Sequence, residues 1–148
     1  NIGDTMISFH KGFIKISKEY SSTNVGNIAN YYAAICQINL GEYENSLNSL
    51  TNFETDDKII SSLATGLKGD AYMELGDTTK AMSFYKSAAT DHANDLTTPY
   101  FMMKQAHIHE TNKDFSSALE IYNLIKSKYP ESKQGINIDK YISSTSNR

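Results

Sequence analysis

The chain has 148 residues, enough for one domain, and its 39% hydrophobic and 21% charged residues are typical of a globular protein. Its net charge of −3 disfavours a nucleic-acid binder, because neutralising phosphates requires a basic face. Val25 is the only valine, and 2 prolines and 8 glycines are present, so residues typical of strands and breakers of helices are both scarce. The composition therefore favours an all-α fold.

Helical spacing begins near the N-terminus. Phe9, Phe13, Ile16 and Tyr20 recur at intervals of four, three and four residues, which predicts an amphipathic helix with one apolar stripe. The same kind of spacing, with threonine, serine and aspartate as candidate caps, predicts further helices along the chain. The predicted helices span residues 9–20, 24–40, 43–54, 57–75, 78–92, 98–112, 114–129 and 132–144, and residues 1–8 and 145–148 are expected to be loose.

Three turns between these helices are alike. They are Leu40-Gly41-Glu42-Tyr43, Leu75-Gly76-Asp77-Thr78 and Asn112-Lys113-Asp114-Phe115. Gly76 follows Gly41 by 35 residues and precedes Lys113 by 37, close to the ~34-residue period of a helix–turn–helix repeat. A small residue follows each turn at the same offset, as Ser46, Ala81 and Ala118. The period is therefore carried by packing positions as well as by the turns.

On these motifs, residues 26–130 resemble the tetratricopeptide repeat. The family's small residue at the contact of its two helices is matched by Ala34, Gly69 and Ala106, and its closing proline by Pro130. The resemblance implies an all-α, right-handed superhelix of antiparallel helix pairs. It further implies one domain over residues 1–148, with repeats at about 24–54, 57–92 and 98–129, a preceding helix at about 9–20 and a C-terminal helix at about 132–144.

The first predicted helix matches the second helix of the last repeat at a constant offset of 109 residues. Phe13 falls on Tyr122, Ile16 on Ile125, Tyr20 on Tyr129, Thr23 on Ser132 and Gly26 on Gly135. Two interpretations follow. This helix is either the second helix of an earlier repeat whose first helix lies outside this chain, or a natural cap of the array.

A narrower resemblance comes from three segments, residues 20–29, 69–76 and 94–99. They look like envelope-facing tetratricopeptide proteins of Gram-negative bacteria, which are similar to the ancillary subunit of the Sec translocon and carry an N-terminal membrane anchor. This likeness implies a location on the periplasmic face of a membrane, through an anchor that this sequence does not contain. A cytoplasmic location is the alternative.

Few residues of the sequence are spaced as in catalytic, cofactor or metal sites, so neither a cofactor nor a metal is expected. His107 and His109 are two residues apart and point to different sides of a helix, which prevents both from binding one metal ion. Cys36 lies mid-helix, where a packed small hydrophobe is the usual role. Gly66, Gly69 and Gly76 fall inside or at the end of a helix and so do not form a phosphate loop.

The remaining candidate for a functional site is a binding surface. In tetratricopeptide arrays the first helices line a concave groove, and the resemblance implies a groove residue at four positions of each repeat. A row of isoleucine, tyrosine and methionine fits an apolar or helical polypeptide segment. The basic and amide residues with which some members hold a C-terminal carboxylate are missing, apart from Lys104. Tyr31 and Met103 are expected to lie outside the core between helices. The predicted groove residues are Ile28, Tyr31, Ile35, Ile38, Leu63, Gly66, Asp70, Met73, Tyr100, Met103, His107 and Glu110.

The sequence therefore predicts a non-enzymatic interaction module that binds protein or peptide segments. The alternative is a structural element whose groove is filled by its own missing N-terminal helix or by another protomer, which would give a homodimer. An enzyme with an unrecognised helical site is a third hypothesis.

Overall fold

The computed structural model describes the backbone of residues 2–148 and the side chains of residues 4–148. Within this part of the chain the secondary structure is helical and contains no strand. The helices are α1 (Ile2–Glu19), α2 (Asn24–Asn39), α3 (Tyr43–Thr51), α4 (Lys58–Glu74), α5 (Thr78–Thr90), α6 (Thr98–Thr111), α7 (Phe115–Lys128), a short 3-10 helix (Gly135–Asn137) and α8 (Ile138–Ser146).

The helices form three tandem pairs, α2 with α3, α4 with α5 and α6 with α7. We call α2, α4 and α6 the first helices and α3, α5 and α7 the second helices. Each helix packs on the next one along the chain, and α2 also contacts α4 directly. This arrangement confirms the predicted all-α array of helix pairs.

The three turns that look alike in sequence share one conformation. Gly41 and Gly76 each have a φ of 79°, and Lys113 has a φ of 59°, the left-handed region that closes many helices. The next residue's N–H donates to the carbonyl oxygen five residues before it in all three turns. These bonds join Glu42 to Gln37 at 2.8 Å, Asp77 to Tyr72 at 2.9 Å and Asp114 to His109 at 2.8 Å.

Small residues hold the two helices of each pair close together. Ser46, Ala81 and Ala118 are 0% exposed. Gly69 of α4 makes room for the ring of Tyr85, since a Cβ at Gly69 would lie 2.6 Å from that ring. Close approach of this kind lets the buried aromatic and aliphatic side chains of α5 to α8 join into one core cluster.

The linkers at the two ends of the array are built alike. Thr23 Oγ1 donates to the Tyr20 carbonyl at 2.7 Å and accepts from the N–H of Gly26 at 3.2 Å. Ser132 Oγ makes the same two bonds, to the Tyr129 carbonyl at 2.7 Å and from the N–H of Gly135 at 3.0 Å. The sequence offset of 109 residues therefore corresponds to a shared local structure.

Phe9 departs from this correspondence. The same offset places it on Ala118, one of the buried small residues, yet Phe9 is 56% exposed. A helix packed on α1 as α6 packs on α7 would meet an aromatic ring instead of a small side chain. The two interpretations of α1, as part of an earlier repeat or as a cap, stay predictions.

Three predicted helix boundaries differ from the structure by three residues or more. α1 begins at Ile2 instead of residue 9, and Asp4 in its first turn is favourable there. α3 ends at Thr51 instead of residue 54, with the Asn52 carbonyl held by Asn30 Nδ2 at 3.1 Å. The C-terminal helix begins at Ile138 instead of residue 132, after a turn and the 3-10 helix. Residues 2–8 and 145–146, expected to be loose, are thus helical, and residue 1 lies outside the described part.

Candidate functional site

A cleft of about 440 Å³ opens between the first helices. Ile38 of α2 and Met73 of α4 form part of its wall, and Ile108 of α6 is buried beneath it. The start of α5 closes one edge. We call this the first-helix cleft, and its lining residues are Ile38, Asp70, Met73, Glu74, Thr78, Tyr85, Lys104, His107, Ile108, Thr111 and Asn112.

A polar network joins three helices on one side of this cleft. Asp70 Oδ1 accepts a hydrogen bond from Tyr85 Oη at 2.6 Å and pairs with Lys104 Nζ at 2.7 Å. Burial and the bond to Asp70 raise the pKa of Tyr85. Burial disfavours the charge of Lys104, but the hydrogen bond and charge of Asp70 outweigh it and raise the pKa of the ammonium. The Lys104 ammonium therefore stays charged and paired with Asp70 at neutral pH.

A second cleft, of about 410 Å³, lies at the opposite ends of the first helices. Leu63 of α4 and Tyr100 of α6 line it together with the loop residue Leu96 and with Lys133 and Gln134 before α8. We call it the loop cleft. Its apolar side chains are exposed, so it extends the surface available along the first helices.

The predicted groove residues divide between these surfaces. The first-helix cleft brings together Ile38, Asp70, Met73 and His107, and the loop cleft holds Leu63 and Tyr100. Ile28 is exposed near the start of α2, Ile35 is half-buried and lines neither cleft, and Gly66 is buried under the Phe101 ring. The structure thus places the predicted residues in more than one site.

Three predicted groove residues are less accessible than expected. Met103 is only 8% exposed and belongs to the main core cluster, because α6 is apolar around much of its circumference and packs on several sides. Tyr31 packs on Phe53 with ring centroids 5.1 Å apart. Glu110 Oε1 accepts from Thr145 Oγ1 of α8 at 2.6 Å. The prediction that Met103 lies outside the core is therefore wrong, whereas Tyr31 is half-buried and packs against the cluster of Ala34, Leu50 and Ala64.

Sequence reasoning misses several lining residues of the first-helix cleft. Repeat spacing assigns Tyr85 to packing alone, and Glu74 follows the predicted Met73 directly in the chain. Lys104 stands 37 residues after Leu67 and so occupies an equivalent position of the next repeat. That spacing is the signal that could have placed Lys104 against the preceding first helix.

The sequence raises His107, His109 and Cys36 as candidates for metal binding or nucleophilic chemistry. His109 Nδ1 pairs with Asp114 Oδ2 at 2.9 Å, whereas His107 lies beside the Tyr141 ring. Cys36 is buried, and burial raises the pKa of its thiol. Among the side chains of residues 4–148, no group of three histidine, cysteine or acidic residues is arranged to hold a metal ion. None of the described helices is both long and apolar enough to span a membrane.

Tandem helix pairs that pack one on the next define a helical-repeat domain. A family model described as "Tetratricopeptide repeat" matches residues 66–90, which include the C-terminal half of α4 and all of α5. Tetratricopeptide repeats generally mediate protein–protein interactions and are typically not enzymes. Comparison with curated proteins and with solved structures gives no match, so the likeness to envelope proteins stays a prediction.

Proposed function

We propose that the domain binds a polypeptide segment along its first helices, with the first-helix cleft as the main contact. The observation that carries this proposal is the convergence of Ile38, Asp70, Met73 and His107, four groove residues that the resemblance implies, on one cleft. Its volume of about 440 Å³ lies in the range of ligand-binding clefts, roughly 300–1,000 Å³.

The chemistry of the cleft suits side-chain recognition. Met73 offers a flexible, polarizable thioether that adapts to different apolar groups. The Asp70–Lys104 pair and the Tyr85 hydroxyl are already satisfied by one another, so an apolar group can approach them without leaving a new unpaired charge. The loop cleft, with Leu63 and Tyr100, offers a second contact for a segment that runs along the first helices.

Selection from a random peptide display library tests this proposal even though the natural partner is unidentified. Peptides that bind the domain should lose affinity by about tenfold or more in Met73→Ala, because that change removes the thioether side chain from a central apolar contact. Thr111→Tyr should have a similar effect by filling the cleft from an exposed position. Fluorescence anisotropy of the labelled peptides measures the change.

Leu124→Ala is the matched control for these variants. Leu124 is an exposed apolar residue of the second helix α7, so its substitution should leave peptide affinity unchanged. Circular dichroism establishes that each variant keeps its helices. If no peptide is selected, or if selected peptides bind both cleft variants like the parent, the first helices are not the binding surface.

A second candidate function, self-association, is supported by a different surface. Tyr32, Leu67, Lys104 and Tyr141 follow one another at 35, 37 and 37 residues. Lys104 and Tyr141 contact the preceding first helix, through Asp70 and His107 respectively, and Leu67 packs in the cluster that contains Ala34 of α2. Tyr32 has no such helix before it in the described chain and is 46% exposed.

Phe9, Val25 and Ile28 are also exposed at this end, and we call them, together with Tyr32, the N-terminal face. α2 supplies three of these four residues and contains no charged residue, so its part of the face brings no like charges together in a dimer. Sedimentation over a dilution series should then show a dimer that Tyr32→Glu abolishes. A monomer at every concentration would exclude this candidate.

We further propose that the natural protein is bacterial, membrane-anchored and located in the cell envelope. Support comes from the sequence resemblance of residues 20–29, 69–76 and 94–99. Fractionation of cells that express the full-length gene product, followed by protease accessibility, tests this location. Recovery with the cytoplasmic fraction would refute it.

A further inference from the structure

We infer that the first-helix cleft accepts a lysine or arginine side chain of the bound polypeptide, with its cationic head group at Glu74. This inference rests on the proposed function, since it specifies what the same cleft recognises. Three observations carry it: the helix ends around the cleft, the balance of charge inside it and the apolar character of its walls.

Three first helices end at this cleft. Ile38 is the next-to-last residue of α2, Glu74 is the last of α4 and Thr111 is the last of α6. The C-terminus of an α-helix carries partial negative charge on its last carbonyl groups. Only α5 begins here, at Thr78, and its cap is the carboxylate of Asp77. The backbone around the cleft therefore favours a cation.

The side chains that line the cleft also favour a cation. Lys104 and Asp70 cancel each other in an ion pair of 2.7 Å. Glu74 is exposed, makes no ion pair among the described residues, and accepts only a long hydrogen bond, 3.3 Å, from Tyr43 Oη. Glu74 is thus a lining carboxylate that has no ion-pair partner among the described residues.

The walls fit the stem of a long basic side chain. Ile38 and Met73 are half-buried and apolar, and Ile108 is buried below them. Lysine and arginine lay their methylene groups on such surfaces and keep the charged end at a polar rim. A purely apolar side chain would cover the same walls but leave Glu74 partly desolvated without a partner. An acidic group would face Glu74 and the three helix ends.

A titration with three short peptides tests the inference. The probes are acetylated, amidated alanine pentapeptides with lysine, norleucine or glutamate at the centre. Norleucine keeps the lysine stem without its charge. Methyl NMR reports location through Ile38, Met73 and Ile108, and exposed Ile136 serves as a remote reference. The lysine peptide should shift the three cleft methyls and bind about threefold to fivefold more tightly than the norleucine peptide, as expected for a solvent-accessible ion pair.

Glu74→Gln should remove this preference while leaving affinity for the norleucine peptide unchanged. Glu44→Gln, an exposed glutamate of the second helix α3, is the control and should retain the preference. Raising the salt concentration should weaken only the lysine peptide.

Equal affinity for lysine and norleucine within the cleft would overturn the inference and leave the proposed function intact. An unchanged lysine preference in Glu74→Gln, or methyl shifts confined to sites outside the cleft, would also overturn it. If none of the probes shifts a cleft methyl, the cation site does not exist, whereas the display selection still tests polypeptide binding independently.

Discussion

In the turns between first and second helices, substitutions at two equivalent positions should change the stability of the domain in opposite directions. Gly76 and Lys113 both lie in the left-handed region, at φ values of 79° and 59°. Glycine adopts this conformation without strain, whereas an L-residue with a side chain does not. Gly76→Ala should therefore destabilise the domain, and Lys113→Gly should stabilise it.

The magnitude follows from the space around Gly76. A Cβ added there would meet no atom within 4 Å, so the cost is conformational only. A left-handed L-residue costs about 1–2 kcal/mol, and replacing glycine recovers roughly 0.4–1 kcal/mol from the unfolded chain. The net loss is about 1 kcal/mol for Gly76→Ala, with a gain of similar size for Lys113→Gly. Each corresponds to a shift in Tm of about 2–4 °C for a domain of this size.

Urea denaturation followed by circular dichroism measures both changes. The slope of each transition must match that of the parent, since a changed slope would indicate partial unfolding of the array. If both substitutions moved the midpoint in the same direction, or if Gly76→Ala had no effect, the two turns would not be equivalent. The repeat register would then be wrong.

Two further predictions concern packing and pH. Ala81→Leu should cost about 1–3 kcal/mol, because Ala81 is 0% exposed at the contact with α4; an unchanged melting temperature would contradict the register. Hydrogen bonds from Lys80 lower the pKa of Asp77, and those from Ser117 lower the pKa of Asp114, both below 3.8. The two carboxylates contribute their full stabilisation above pH 3.8, and this contribution is lost as the pH falls through their lowered pKa values. Asp77→Asn should therefore make unfolding less sensitive to acid below pH 3.8.

Sequence reasoning reaches the helices and their period because both depend on local features. The turn at Gly41 recurs at Gly76 and, without glycine, at Lys113, and all three adopt one backbone conformation. A lysine in that conformation is not recognisable by propensity, but its distance from Gly76 identifies it. The extra N-terminal turns of α1 and the 3-10 helix before α8 have no counterpart in the repeat, so the period could not predict them.

The site is predictable only in part, because repeat positions do not say how side chains pair. The tetratricopeptide resemblance predicts Asp70 and Met73 for the groove, but it could not show that Asp70 is held by Tyr85 and Lys104 from two other helices. It also misses the burial of Met103, which depends on how many neighbours surround α6. A position within a repeat fixes a direction from the helix axis, whereas accessibility depends on the packing of the whole array.

Binding of a polypeptide along the first helices can be tested by locating a bound peptide on the domain. A display-selected peptide with a terminal spin label should broaden the methyl signals of Met73, Ile38 and Ile108 and spare those of Leu124 and Ile136. The same signals should stay sharp when excess unlabelled peptide competes. Broadening centred on Leu124, with the signals of Met73 and Ile108 unaffected, would place the peptide on the second helices and contradict the proposed function.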